Sequence, residues 1–102
     1  MAKLVIHWTE TAIRQRNYIF EYWIQRNQSV TYAKKLNEKI RERINLLAHN
    51  PELGVKTTYK NTRAISLGHY SILYQKNNLK IIITGFWDNR QDPKKILFFL
   101  IN

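Results

Sequence analysis

The stretch that decides the fold is residues 63–87, "RAISLGHYSILYQKNNLKIIITGFW". Its apolar residues recur with a period of two, and it is interrupted twice by residues suited to tight turns. Gly68-His69 fits a two-residue hairpin turn with glycine first, and Asn77-Asn78 fits one that needs positive φ. Three antiparallel strands follow. Counting outward from two-residue loops sets Leu67 opposite Tyr70, Ile65 opposite Ile72 and Arg63 opposite Tyr74; on the second hairpin it sets Tyr74 opposite Ile81 and Ile72 opposite Ile83. Cross-strand partners share a face and neighbours alternate, so a one-residue slip exchanges the faces. The count collects Ile65, Leu67, Tyr70, Ile72, Tyr74, Ile81 and Ile83 on a bulky face that must be covered. Ala64, Ser66, Ser71, Leu73, Ile82, Thr84 and Phe86 fall on a shallower open face.

The cover lies upstream. "KLVIHW" (3–8) reads as a first strand, and Thr9 as the N-cap of a helix over "TETAIRQRNYIFEYWIQRN", with Glu10 in the favourable first turn. Ala12, Ile13, Ile19, Phe20, Trp23 and Ile24 form one apolar stripe. Ser29 caps a second helix, in which Ala33, Leu36, Ile40, Ile44 and Leu47 step by three and four, opposite a charged face. "NPELG" (50–54) stops it: Pro51 disfavours a helical Asn50, and Gly54 allows a left-handed turn. Two amphipathic helices joined by a tight turn form an antiparallel pair. The expected fold is α+β, in the order β-α-α-β-β-β, with the helix pair on one face of an antiparallel sheet. Asp92 and Pro93 suit the start of a short last element, "PKKILFFLIN", which reads equally as helix or strand.

The 102 residues make a single domain, 1–102, with 44% hydrophobic residues. Seventeen Lys and Arg against seven Asp and Glu give a net charge of +10, which favours an acidic or polyanionic partner. The absence of cysteine removes disulfides, thiol nucleophiles and Cys-based zinc sites. His7, His49 and His69 have no metal-ligand spacing, and no cofactor motif occurs. The short apolar start is neither a signal peptide nor a membrane span, so a cytoplasmic protein with no membrane partner is expected.

Specific local patterns now add to this order of elements: "WTETA", "NPELG" after the second helix, "TRAISLGHYSILYQ", and "IIITGFWDNRQDP". Together they resemble the RelE/ParE superfamily of toxins from type II toxin–antitoxin systems, known for growth inhibition and plasmid stabilisation. The resemblance covers nearly the whole chain. It implies neutralisation by a cognate acidic antitoxin, with operator DNA met only through that antitoxin.

The superfamily divides by target. RelE-like members are ribosome-dependent mRNA endonucleases, whose reaction needs a proton acceptor, a proton donor and cations at the phosphate. The resemblance places an arginine after the tyrosine matching Tyr70, where this sequence has Ser71, and a Tyr or His shortly after the position of Arg90, where "QDPKKI" has neither. A nuclease would have to use Arg90, Lys60 and His69, with Lys56 and Asp88 as the further candidates for the acid/base chemistry. ParE-like members resemble inhibitors of DNA gyrase with no known acid/base set, and the Arg63-to-Tyr70 spacing and "DNRQDP" sit closer to them. The residues expected to meet a target or antitoxin are Lys56, Lys60, Arg63, Ser71, Phe86, Arg90, Lys94 and Lys95. Arg63 is expected to stack on Tyr74, and the tryptophans Trp8, Trp23 and Trp87 to pack in the core. The open face is the candidate groove for an acidic amphipathic segment.

Overall fold

A computed structural model describes residues 3–90. The elements are β1 (Val5–Trp8), α1 (Glu10–Asn27), α2 (Thr31–His49), β2 (Val55–Lys56), β3 (Arg63–Leu67), β4 (Tyr70–Asn77) and β5 (Lys80–Asp88). The strands form one sheet in the order β1-β5-β4-β3-β2. The α+β class and the helix pair are as expected. The sheet, however, is mixed: β1 runs parallel to β5, with Val5 beside Lys80 and Trp8 beside Ile83. A parallel pair requires a crossover, and the two helices with the first two meander strands provide it. The two-residue strand β2 extends the other edge by pairing with the start of β3. The expected last element, including Asp92, Pro93, Lys94 and Lys95, lies outside the described residues.

The first hairpin has the counted register, Leu67 to Tyr70 through Arg63 to Tyr74, with Gly68 at φ 60°. The second turns one residue later, with Asn78 at φ 48° and Asn77 paired to Lys80. Tyr74 therefore faces Ile83, two residues beyond the counted Ile81. An even slip keeps the parity, so the expected bulky face is intact, and Ile65, Leu67, Tyr70, Ile72, Tyr74, Ile81 and Ile83 all belong to the buried core.

Past Tyr74 the register shifts again, because Leu73 faces Gly85 and leaves Thr84 as an extra residue in β5. This bulge inverts the faces beyond it. Phe86, expected on the open face, pairs with Ile72 and is buried against Tyr70, ring centroids 5.2 Å apart. Trp87 takes the open-face position across from Ser71. Gln15 of α1 reaches the irregularity, its Oε1 accepting the Phe86 N–H at 2.9 Å.

Helix α1 starts as the sequence predicts. Thr9 Oγ1 accepts the Ala12 N–H at 3.2 Å and donates to the Ile83 carbonyl at 3.1 Å, which ties the cap to β5. Ser29 is one residue too early to cap α2. The capping position is Val30, without a side-chain bond, although the Ser29 hydroxyl accepts the Thr31 N–H at 3.2 Å. Ala33, Leu36, Ile40 and Leu47 bury the expected stripe of α2. Gly54 is required for a reason other than the left-handed turn, since its φ is not positive. Its backbone lies against the Tyr74 ring, and a Cβ there would stand 2.5 Å from Tyr74 Oη.

Candidate functional site

The sheet carries the predicted residues to two separate ends. Lys56 pairs with Arg63, and Arg63 with Tyr74. Ser71, His69, Asp88 and Arg90 gather at the other end, where Tyr70 pairs with Asp88. Tyr70 and Tyr74 are four residues apart on β4, about 13 Å at ~3.3 Å per residue. Lys60 and the pair His69 and Arg90 therefore do not share one site.

At the first end Arg63 Nη1 donates to the Gly54 carbonyl at 2.7 Å and reaches the Glu52 carbonyl at 3.4 Å. This ties the 50–54 turn to the sheet by hydrogen bonds, where stacking on Tyr74 was expected. Tyr74 completes the clamp, donating to the Pro51 carbonyl and accepting the Gly54 N–H, each at 2.8 Å. Burial is the main cause that raises the Tyr74 pKa. Beside it lies a depression of about 360 Å³ lined by Lys56, Thr57, Tyr59, Asn61, Thr62, Arg63 and Lys76. The Lys60 carbonyl accepts from Thr62 Oγ1 at 2.9 Å and its ammonium is exposed.

At the second end the Ser71 hydroxyl donates to Asn89 Oδ1 at 2.8 Å, with Ser66 and Trp87 as its cross-strand neighbours. Arg90 is held by its own carboxylate partner: Nε donates to Asp88 Oδ1 at 2.9 Å and Nη2 to Oδ2 at 2.8 Å, while the Arg90 backbone N–H also meets Oδ1 at 2.9 Å. These bonds hold the Asp88 carboxyl below its ordinary range and raise the Arg90 pKa. His69 is exposed in the hairpin turn, its carbonyl accepting the Asn89 N–H at 2.8 Å. Among the described residues, no group of three His, Asp or Glu side chains is arranged to hold a metal ion.

The family model for the ParE toxin of type II toxin–antitoxin systems, parDE, matches residues 6–93. This chain is a member of the ParE toxin family. The fold agrees. A solved structure described as the chromosomal ParDE TA system from P. aeruginosa superposes with a TM-score of 0.70 at 18% identity, over 82% of this chain and 94% of that one. The YoeB dimer from Staphylococcus aureus superposes with a TM-score of 0.59 at 20% identity, again over 82% and 94%. No curated protein sequence matches.

In this ParE-family toxin the sequence reading overlooked a cleft on the helix side of the second end. It has a volume of about 370 Å³ and is lined by Tyr18, Ile19, Tyr22, Trp23, Arg26, Tyr70, Asp88 and Arg90. Trp23 is not simply core: its indole Nε1 donates to Tyr70 Oη at 2.8 Å, and its ring packs at 4.8 Å against Tyr32 and 5.2 Å against Tyr22. Trp8 lies at the core margin beneath the Arg16 guanidinium, 4.8 Å from the ring centre. The available signal was the four-residue spacing of Tyr18, Tyr22 and Arg26, which puts all three on one side of α1. No helix among the described residues is long and apolar enough to cross a membrane.

Proposed function

We propose that this toxin inhibits growth by binding an essential protein target, DNA gyrase, rather than by cutting mRNA, and that it acts in the cytoplasm. The observation that carries this reading is the state of the second end. Ser71 has its hydroxyl bonded to Asn89, and Arg90 has its guanidinium held bidentately by Asp88. Transferring a 2′-proton and stabilising a phosphate need an unengaged base and converging cations. A serine hydroxyl is no substitute for a fixed guanidinium. Of the two remaining nuclease candidates, Lys60 stands at the far end of the strands, which leaves His69, exposed in the β3–β4 turn, without it.

The partner that neutralises the toxin is an acidic antitoxin. Its acidity follows from the net charge of +10, and the described residues include only two ion pairs, Arg14 with Glu10 and Arg90 with Asp88. Most cations are thus available to a partner. Lys56, Lys60, Arg63, Ser71 and Arg90 remain the proposed contacts for target or antitoxin, together with Lys94 and Lys95. Phe86 would take part only through its packing on Tyr70.

The reading is tested by inducing the protein in cells and following, within minutes, plasmid supercoiling and the integrity of translated mRNA. Loss of negative supercoiling with intact message is expected. Codon-phased mRNA cuts that disappear in Arg90→Ala would overturn it in favour of the nuclease.

A further inference from the structure

Two exposed aromatic side chains, Tyr18 (68% exposed) and Tyr22 (48%), line the cleft between α1 and the end of β5, and a third, Tyr32 (39%), packs against Trp23 of its wall. Contiguous exposed aromatic surface beside arginine is the composition of protein-interface hot spots. The cleft's volume of about 370 Å³ has room for one large side chain.

The polar groups lining it are unevenly satisfied. Tyr70 is 3% exposed and its oxygen accepts from Trp23 Nε1, but its own hydrogen has no acceptor among the described residues. Tyr74, the comparable buried tyrosine, both donates and accepts. Arg26 has no ion-pair partner among the described residues, and Arg90 keeps half of its side chain exposed while bonded to Asp88. The cleft therefore offers a buried hydroxyl donor and a free guanidinium, next to an apolar wall of Ile19 and Trp23. That combination fits a carboxylate adjoining an apolar anchor.

Resting on the toxin reading above, we infer that this cleft, and not the open face of the sheet, is the principal anchor site for the antitoxin. An acidic segment of that protein inserts one large apolar side chain against Ile19, Tyr22 and Trp23. It sets a neighbouring carboxylate on Arg26 and the Tyr70 hydroxyl. The Asp88 carboxylate, neutralised by Arg90, no longer repels the incoming acid.

The test uses the full chain and the product of the open reading frame adjacent to its gene, taken as the acidic antitoxin. Affinities are measured for the wild type, Tyr22→Ala, Arg26→Glu and Lys80→Glu. Lys80 starts β5 and is exposed at its opposite end, so Lys80→Glu makes the same charge change far from the cleft. The Trp23 indole N–H resonance reports directly on the bond to Tyr70. Tyr22→Ala is expected to weaken binding about 10-fold and Arg26→Glu about 30-fold, with Lys80→Glu within about 3-fold of wild type. The indole resonance should shift on saturation. Tyr22 and Arg26 are exposed, and unchanged thermal melting of the variants confirms that folding is intact. Equal weakening by Arg26→Glu and Lys80→Glu, with an unmoved indole signal, overturns the inference alone. An indole shift produced by an oligothymidylate but not by the acidic protein overturns it in favour of nucleic acid. No binding of the acidic protein to the wild type sinks the antitoxin reading together with the inference.

Discussion

Tyr74→Phe isolates the clamp that holds the 50–54 turn against the sheet. Tyr74 is fully buried, and its hydroxyl donates to the Pro51 carbonyl and accepts the Gly54 N–H at 2.8 Å each. Phenylalanine keeps the ring and its packing on Gly54, so the substitution removes only the two hydrogen bonds. Gly54 is buried, and its amide would be left without a partner, at a cost of about 1–3 kcal/mol. Pro51 is half-buried, and water can replace part of its lost bond, adding up to ~1 kcal/mol. The sum is about 1–4 kcal/mol, and in a domain of this size each kcal/mol lowers the melting temperature by about 4–8 °C. Urea unfolding followed by tryptophan fluorescence measures the difference, and hydrogen exchange at the Gly54 amide shows whether the turn loosens first. A change below about 0.5 kcal/mol, with the amide still protected, would refute the clamp.

Gly54→Ala should be as damaging by the opposite route, because its Cβ would stand 2.5 Å from Tyr74 Oη and overpacking of this kind costs about 1–3 kcal/mol; the same urea curve reads it. Thr9→Ala removes both the α1 cap and the bond to Ile83, an expected loss of about 1–2 kcal/mol with reduced helicity at the start of α1 by circular dichroism. The folded-state pKa of Asp88 lies below its ordinary 3.8. Its contribution is therefore present above that value and lost as the pH falls through the lower folded one, and Asp88→Asn should flatten that part of an acid-unfolding curve. Tyr70 and Tyr74 are both raised above 10.0, chiefly by burial. Their contribution is present below pH 10.0 and lost as the pH rises through the folded values, so stability should fall at the alkaline end, less steeply in Tyr74→Phe.

Much of this architecture was legible because a few residues dictate it. Gly68 is the one place in its hairpin that takes a positive φ without strain, so the first register followed from it. The second hairpin offered Asn77 and Asn78, either of which suits the turn. The choice of Asn78 places Leu79 in solvent, 73% exposed, against any reading that keeps apolar residues inside. The bulge at Thr84 had one sign in the sequence, a glycine inside the strand at Gly85. Without pairing information that sign did not announce an inverted Phe86. The parallel pairing of β1 involves partners about 75 residues apart in sequence, from Val5 to Lys80, and no local pattern encodes it. For the candidate site, the place of Ser71 on the face opposite Tyr70 was readable from the alternation in β4, which the irregularity in β5 leaves untouched. The helix-side cleft was not, because it joins the exposed flank of α1 to the end of β5, and each alone reads as ordinary surface.

The most direct measurement is a gyrase supercoiling assay with the purified chain, a relaxed plasmid and ATP, run alongside ribosome-bound mRNA under the same conditions. The account predicts that supercoiling is inhibited, that the cognate antitoxin restores it, and that the message stays whole. Full gyrase activity together with cuts at ribosomal positions in the message would contradict it.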